Sequence, residues 1–509
     1  MEPHDSTGRD EPGLPDLPEL PEQFDISLEE TGLRVNLGTP GEGEAGEDDD
    51  EVRPRRVTPE DMAALRRVEA ELAERWGETQ IDPTLERVRL AMDYLGDPQE
   101  SFRSIHVAGT NGKTSTTRMI DSLLRAFGHR VGRTTSPHLQ LITERIAIDG
   151  EPIHPADFVS VYEQIAPYLA MVDEQTAQRL SYFEALVCLA YAAFAEAPVE
   201  VAVVEVGMGG RWDATNVIDA DVNVIMPIGL DHTEYLGDTL TEIAGEKAGI
   251  ITSPDSVTIV ADQEPEAMRV VLEEAVEVGS AVARLGIEFG VAEASVAVGG
   301  QTLTLKGLGG EYSDIFLPLS GPHQARNAAV ALAAVEAFHG ASSQRPLDAE
   351  TVRRGFAQVS SPGRLERVRA TPTTFIDATH NPHGARALAD ALSNDFDFAR
   401  LIGVLGILGD KDASGILTAL EPVLTEVVIT QNTSPRALDA YELAELAREI
   451  FGDERVHVEE NLPAAYELAV QLAEDALAEV GVQSGSGVII TGSVVTAGQA
   501  RTMFGKDPQ

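Results

Sequence analysis

The stretch Ile105-His-Val-Ala-Gly-Thr-Asn-Gly-Lys-Thr114 constrains the fold more than any other part of this chain. A strand pattern over Ser104–Ala108 runs into a turn with two glycines, and a helical pattern over Thr114–Phe127 follows at once. That helix carries Met119, Ile120, Leu123, Leu124 and Phe127 on one face and meets its stop at Gly128. Glycines let a backbone close around phosphate oxygens, and a helix start offers free N–H groups at the positive end of its dipole. Lys113 supplies a point charge for β- and γ-phosphates, and Thr114 a hydroxyl near Mg²⁺. The usual pattern has its first glycine where this chain has Val107. A Gly-Lys-Thr arising by chance would not be flanked by both elements, so the stretch reads as a phosphate-binding loop in an α/β fold.

The rest of the chain is organised in the same way. Val201–Val206 and Val222–Met226 are near-continuous apolar runs, typical of parallel strands covered on both faces, and Ser256–Ala261 resembles them. Ser181–Phe194 is apolar on most sides, hence a buried helix. Order is expected to begin at Thr58-Pro59-Glu60-Asp61, a capping sequence with proline at the first helical position. Met62, Leu65, Val68, Leu72 and Trp76 then follow at helical spacing as far as Gly77. The pattern restarts after the turn-rich Ser360-Ser-Pro-Gly363. Strands are expected there at Thr374–Asp377, Leu401–Gly406, Glu426–Thr430, Arg455–Val458 and Gly487–Thr491, with helices such as Gly384–Ser393 and Asp439–Ile450 between them. Three parts are therefore expected: an acidic tail over 1–56, an α/β domain over 57–360 and a second α/β domain over 361–509, both with mainly parallel sheets.

Composition excludes whole classes. The 509 residues hold 84 Asp and Glu against 38 Lys and Arg, a formal charge of −46. Broad nucleic-acid binding and anionic membrane surfaces both call for a basic footprint. Residues 1–56 hold 17 acidic residues, 5 basic ones and 7 prolines, a composition that predicts disorder. No signal-peptide pattern and no transmembrane-length apolar run is present. The one cysteine, Cys188, rules out an internal disulfide and suits a reducing, cytoplasmic setting; its place on the apolar helix points to core packing.

Gly109-Thr-Asn-Gly-Lys-Thr114 resembles the loop of the Mur ligase superfamily. The match narrows to the folylpolyglutamate synthase/dihydrofolate synthase family through further segments in the same order. These are Ser136-Pro-His-Leu139 with Glu144-Arg-Ile146, Glu205-Val-Gly-Met-Gly-Gly-Arg-Trp-Asp-Ala-Thr-Asn216, and Gly229-Leu-Asp-His-Thr-Glu-Tyr-Leu-Gly237. Glu246-Lys-Ala-Gly-Ile250, Gly363-Arg-Leu-Glu366 and Asp377-Ala-Thr-His-Asn-Pro-His383 complete the set. The resemblance spans roughly Thr58 to Gly505. It implies a Mur-ligase-like central domain, a C-terminal Rossmann-like domain, and an ATP-dependent amide ligase that joins L-glutamate to dihydropteroate or to the γ-carboxyl of reduced folates. The acceptor carboxylate becomes an acyl phosphate, and the glutamate amine displaces phosphate.

Site roles follow from the resemblance, each beside a plainer reading. Gly109, Thr110, Asn111, Gly112, Lys113 and Thr114 cradle ATP. Ser136 and Glu205 hold a first Mg²⁺ and His232 a second; apart from the family, Ser136 is a turn serine, Glu205 a paired loop carboxylate and His232 a structural histidine. Lys247, by default a surface lysine, is carbamylated in the family, which turns a cation into an anion. Asp213 and Ala214 approach the pterin, although Asp213 could cap its own turn. Asn327 reads the nucleotide or else merely begins a helix. Arg364 reaches the ATP phosphates or forms an interdomain salt bridge, and Asp377 touches the nucleotide. His380 and Asn381 shape the loop after Asp377, where Ala378 and Thr379 depart from the family's usual residues. Lys113, His232, Lys247 and Arg364 are the catalytic set, and the family's members are commonly monomeric. Competing readings are a Mur-type ligase for a cell-wall precursor, a P-loop phosphotransferase and a non-catalytic, ATP-gated interaction protein.

Overall fold

The computed structural model describes residues 55–77, 82–480 and 485–509, together with two strands, β1 (Phe24–Glu29) and β2 (Gly32–Leu37), paired antiparallel. The expected disorder of 1–56 otherwise lies outside the described residues, and this strand pair is an element its acidic composition gives no sign of. Residues 57–509 form one compact unit and are described by themselves.

The phosphate-loop strand lies inside an eight-stranded sheet. Its members are β3 (Arg103–Ala108), β4 (Val131–Thr134), β5 (Ile146–Ile148), β6 (Glu151–Pro152), β7 (Val201–Glu205), β8 (Val222–Ile225), β9 (Val257–Val260) and β10 (Ala281–Arg284). Their order is β10-β9-β8-β3-β7-β4-β5-β6, with every pair parallel except β4–β5 and β5–β6 at one end. The strand β7 shows why its apolar run is unbroken. Val201 and Val203 pack with Ile105, Met119 and Leu123 on one face, while Ala202 and Val204 pack with Phe158, Leu189 and Phe194 on the other. Each fully buried valine contributes about 1.5–3 kcal/mol. The chain leaves β3 toward β4 on one side and later crosses to β8 on the other, so the loop after β3 sits at the switch point where such sheets bind ligands.

Capping sequences mark the helices well. Thr58 Oγ1 accepts the Asp61 N–H at 3.1 Å while Asp61 Oδ2 accepts the Thr58 N–H at 2.9 Å. That helix, Pro59–Ala73, ends short of Gly77. Trp76 lies beyond it because its carbonyl accepts the Tyr182 N–H and its indole N–H is donated to Arg179 O. Ser181 and Glu184 form the reciprocal cap of the buried helix Tyr182–Glu196, where burial pushes the Cys188 thiol up.

A meander of three antiparallel strands, β11 (Gly290–Ala297), β12 (Gly300–Lys306) and β13 (Glu311–Leu317), has no counterpart among the expected elements. Leu303, Leu305, Tyr312 and Ile315 pack it into the core of helix Pro322–His339. Buried Glu336 on that helix accepts the Leu308 and Gly309 N–H groups and the Tyr312 hydroxyl.

Beyond Ser360–Gly363 a second sheet contains β14 (Glu366–Ala370), β15 (Thr373–Ile376), β16 (Arg400–Leu405), β17 (Glu426–Ile429), β18 (Val456–Val458) and β19 (Ser486–Thr491). The order is β14-β15-β19-β16-β17-β18, parallel apart from β14. The five expected strands are all present, and the antiparallel edge β14 is additional. The halves meet closely at Gly498, in helix Val494–Met503, where an added Cβ would stand 1.8 Å from Leu139 O.

Candidate active site

The loop after β3 is shaped by two glycines that tolerate no side chain. Gly109 has φ 146° and an added Cβ would lie 2.5 Å from Met226 Cβ; Gly112 has φ 85° and would meet Asn327 Oδ1 and Met226 Cε at 3.0 Å. The loop is therefore wedged between the ends of β3 and β8 and the helix bearing Asn327. Val107 is a fully buried residue of β3, one of the apolar positions of that strand. Helix Lys113–Ala126 starts at Gly112 with no side-chain cap, which leaves its first N–H groups for a ligand.

Cationic groups crowd this loop. Lys113 Nζ donates to Gly109 O at 3.0 Å and to Thr110 O at 3.3 Å, and the buried Lys247 Nζ donates to the same Gly109 O at 2.9 Å. Burial first, then the neighbouring Lys113 charge, lowers the Lys247 pKa to about 7. Two lysine nitrogens sharing one carbonyl make a position suited to an anion.

Glu205 ends β7 beside the loop and is buried. Its Oε1 accepts the Thr114 hydroxyl at 3.0 Å, and no hydrogen bond reaches its Oε2. Burial raises its pKa, opposed by Lys113, the Thr114 hydroxyl, Arg364 and the Ser136 backbone N–H. An orphaned, buried carboxylate oxygen next to a P-loop hydroxyl fits Mg²⁺, which takes one or two carboxylates together with phosphate oxygens and water.

His232 precedes the short helix Thr233–Leu236 in a left-handed conformation, φ 51°. Burial, together with Lys411, Lys113 and Lys247 and against the pull of Asp231, lowers its pKa to about 4. The ring is neutral near pH 7 and so keeps a lone pair for a metal. Asp231 beside it joins the halves: it faces Lys411 Nζ at 3.6 Å, and its Oδ2 accepts Asn381 Nδ2–H at 3.2 Å. Burial works to raise the Asp231 pKa, but His232 and Lys411 carry it below the ordinary value.

The second half supplies the remaining wall. Asn381 caps helix Pro382–Asp395 and donates to Asn111 Oδ1 of the phosphate loop at 3.2 Å; Asn111 Nδ2 lies 2.7 Å from His383 Nδ1. Arg364 is half-buried on the turn after Gly363, and its charge reaches Glu205. Asp377 fixes that turn: Oδ2 accepts the Leu365 N–H at 2.8 Å and Oδ1 the Thr379 N–H at 2.9 Å. His380 is held at 3.0 Å from Ala378 O, and burial lowers its pKa to about 4.

Other expected residues stand further back. The Asp213 carboxylate accepts the Met208 N–H at 2.8 Å and the Thr215 N–H at 3.0 Å, so both oxygens organise their own loop. Ala214 is buried against the helices of one sheet face. Asn327 Nδ2 donates to Gln324 Oε1 at 3.1 Å beside Gly112. Asp231, Lys411 and His383 were assigned no role from the sequence. Their signal was positional: Asp231 adjoins His232, Lys411 follows the end of β16, and His383 closes the Asp377–His383 segment.

A nucleotide loop at the switch point of one parallel sheet, closed by a second α/β sheet bearing a cation, defines a P-loop ligase of the Mur type. The Mur ligase middle domain family matches residues 107–335, and the Mur ligase glutamate ligase domain matches 363–494. A dihydrofolate synthase/folylpolyglutamate synthase of Mycobacterium tuberculosis is 57% identical over 468 residues, 89% of this chain and 96% of its own length. A solved M. tuberculosis folylpolyglutamate synthase complexed with ADP matches at TM-score 0.85 and 57% identity, covering 88% of this chain and 100% of that one. An E. coli FolC structure in complex with DHPP and ADP matches at TM-score 0.73 and 31% identity, covering 88% of this chain and 99% of its own. The chain belongs to the dihydrofolate synthase/folylpolyglutamate synthase family.

Proposed function

We propose that this chain is an ATP-dependent ligase that joins L-glutamate to dihydropteroate, to the γ-carboxyl of reduced folates, or to both. The observation that carries the reading is the convergence on one loop of Lys113, Lys247 and the Thr114–Glu205 pair, with Arg364 contributed by the other half. In this reading residues 57–360 bind ATP and residues 361–509 form the glutamate-ligase half of a cytoplasmic monomer.

The β- and γ-phosphates of ATP rest on Gly109, Thr110, Asn111, Gly112, Lys113 and Thr114, and Asn327 and Asp377 line the nucleotide from either side. An oxygen of the acceptor carboxylate attacks the γ-phosphorus, the bond to ADP breaks, and an acyl phosphate forms. Lys113 and Arg364 face the oxygens on which charge spreads during this transfer. The free amine of glutamate then attacks the acyl carbon, loses a proton, and displaces inorganic phosphate. Ser136, Thr114 and Glu205 would hold one Mg²⁺ and His232 a second, and these ions supply neutralisation of the phosphate oxygens. Lys247, with its amine neutral above about pH 7, is suited to carbamylation by CO₂. Asp213 and Ala214 shape the loop that approaches the pterin. The contacts of Asn381 and His383 with Asn111 keep water from the acyl phosphate.

The test is a product assay with ATP, Mg²⁺ and glutamate that compares dihydropteroate with reduced folates. Phosphate release requiring both acceptor and glutamate, with a new amide in the product, is expected. A stable phosphorylated acceptor would instead indicate a phosphotransferase.

A further inference from the structure

At the rim of the main sheet away from the phosphate loop, two histidines meet. His129 follows Gly128, whose φ of 89° turns the chain out of helix Lys113–Ala126, and its N–H is donated to Leu124 O at 3.2 Å. His339 is the last residue of helix Pro322–His339. Their Nε2 atoms lie 3.0 Å apart.

The opposite ring nitrogens fix both tautomers. His339 Nδ1 is 2.9 Å from Val335 O, a group that only accepts, so Nδ1 carries the proton. His129 Nδ1 is 3.2 Å from Glu200 Oε2. That carboxylate also accepts the Arg130 N–H at 3.1 Å, and this bond and His129 hold its pKa below the ordinary value. It is ionised and acceptor-only, so His129 also carries its proton on Nδ1. With both Nδ1 atoms protonated, the two facing Nε2 atoms meet as lone pairs when no further proton is present. Two lone pairs at this distance repel unless a cation lies between them.

We propose that this pair is a binding site for a borderline divalent transition-metal ion of the Zn²⁺ type, ligated by the two Nε2 atoms and completed by water. At Zn–N bonds of about 2.0–2.1 Å the observed separation subtends roughly 95° at the ion, and opening it by a few tenths of an ångström reaches the tetrahedral value. The carboxylate and the backbone carbonyl behind the rings are the partners that metal-ligating histidines ordinarily have. Two helix carboxyl ends converge here, each with its negative dipole end toward the ion. The arginines that face His339 are Arg103 and Arg345, and Arg103 is stacked 3.9 Å from the Phe338 ring and paired with Asp221 at 2.8 Å. His129 keeps 28% of its side chain exposed, enough for water ligands. A pair of imidazole Nε2 donors suits Zn²⁺, Ni²⁺ or Cu²⁺ better than Mg²⁺, which at the phosphate loop would find the oxygens of Glu205, Thr114 and ATP.

The test is calorimetric titration of the full-length protein with Zn²⁺ in excess Mg²⁺, for wild type and for His129→Gln, His339→Gln and Glu200→Gln. Wild type is expected to bind one Zn²⁺ that each histidine variant loses, with at least a tenfold fall in affinity. Glu200→Gln should weaken the same event by about 10–100-fold while leaving the two ligands in place. Zn²⁺ should raise the melting temperature of wild type and not of His339→Gln, and Cu²⁺ in the site should show coupling to two nitrogens by electron paramagnetic resonance. Ligase turnover without Zn²⁺ should be the same in all four proteins. Identical isotherms for wild type and both histidine variants overturn the proposal and leave a shared proton as the bridging cation.

Discussion

Arg364 and Lys247 act by charge, and their tests differ accordingly. If Arg364 faces oxygens that gain charge only during phosphoryl transfer, Arg364→Ala should lower kcat by about 10²–10³-fold and leave substrate KM nearly unchanged. Steady-state kinetics decide this, since equal turnover with a raised KM would assign Arg364 to ground-state binding. For Lys247 the sign follows from burial. Its neutral form is favoured, so the amine is free above about pH 7 rather than near 10.5. Carbamate needs that free amine, so labelling with ¹³C-bicarbonate should rise as pH climbs from 6 to 8 and vanish in Lys247→Arg, as read by ¹³C NMR. A flat profile would remove the modification.

Among the elements, the meander β11–β13 depends on a single buried carboxylate. Glu336→Ala leaves the Leu308 and Gly309 N–H groups and the Tyr312 hydroxyl without an acceptor, at about 1–3 kcal/mol for the unpaired groups and more for the vacated volume. A loss of about 3 kcal/mol is expected from urea unfolding, and Glu336→Gln, which keeps an acceptor, should lose less. The parallel strands were readable from composition alone because both faces are covered and apolar residues run on without a break. The meander was not readable: β11 leaves most of its side chains exposed and so shows no apolar pattern, and the alternation in β13 is broken by the two consecutive exposed residues Ser313 and Asp314. The local capping sequence at Thr58 marks one helix start to the residue, and the apolar run from Ser181 places another within one residue, whereas the end near Trp76 is set by a distant partner, Tyr182.

For the whole molecule the seam between halves decides function. The phosphate loop was legible because strand, turn and helix are contiguous. The hydrogen bond between Asn111 and His383 spans 272 positions and left only the quoted motif as a trace. Gly498 tests the fit of the halves. Its neighbour Leu139 O cannot give way, because Glu144 holds that segment through the Leu139, Gln140 and Leu141 N–H groups. Gly498→Ala should lower stability by about 1–3 kcal/mol and, by shifting one half against the other, reduce kcat by up to about 10²-fold. Calorimetry and kinetics on the same preparation would check both, and wild-type values would show that the seam has slack.

Asn111 belongs to the phosphate loop yet is bonded to two residues of the other half, so whatever settles on the loop bears directly on the contact between the halves. A pair of fluorophores placed on either side of that contact would thus act as a turnover-free gauge of nucleotide, able to screen compounds that wedge the halves apart without competing for either substrate.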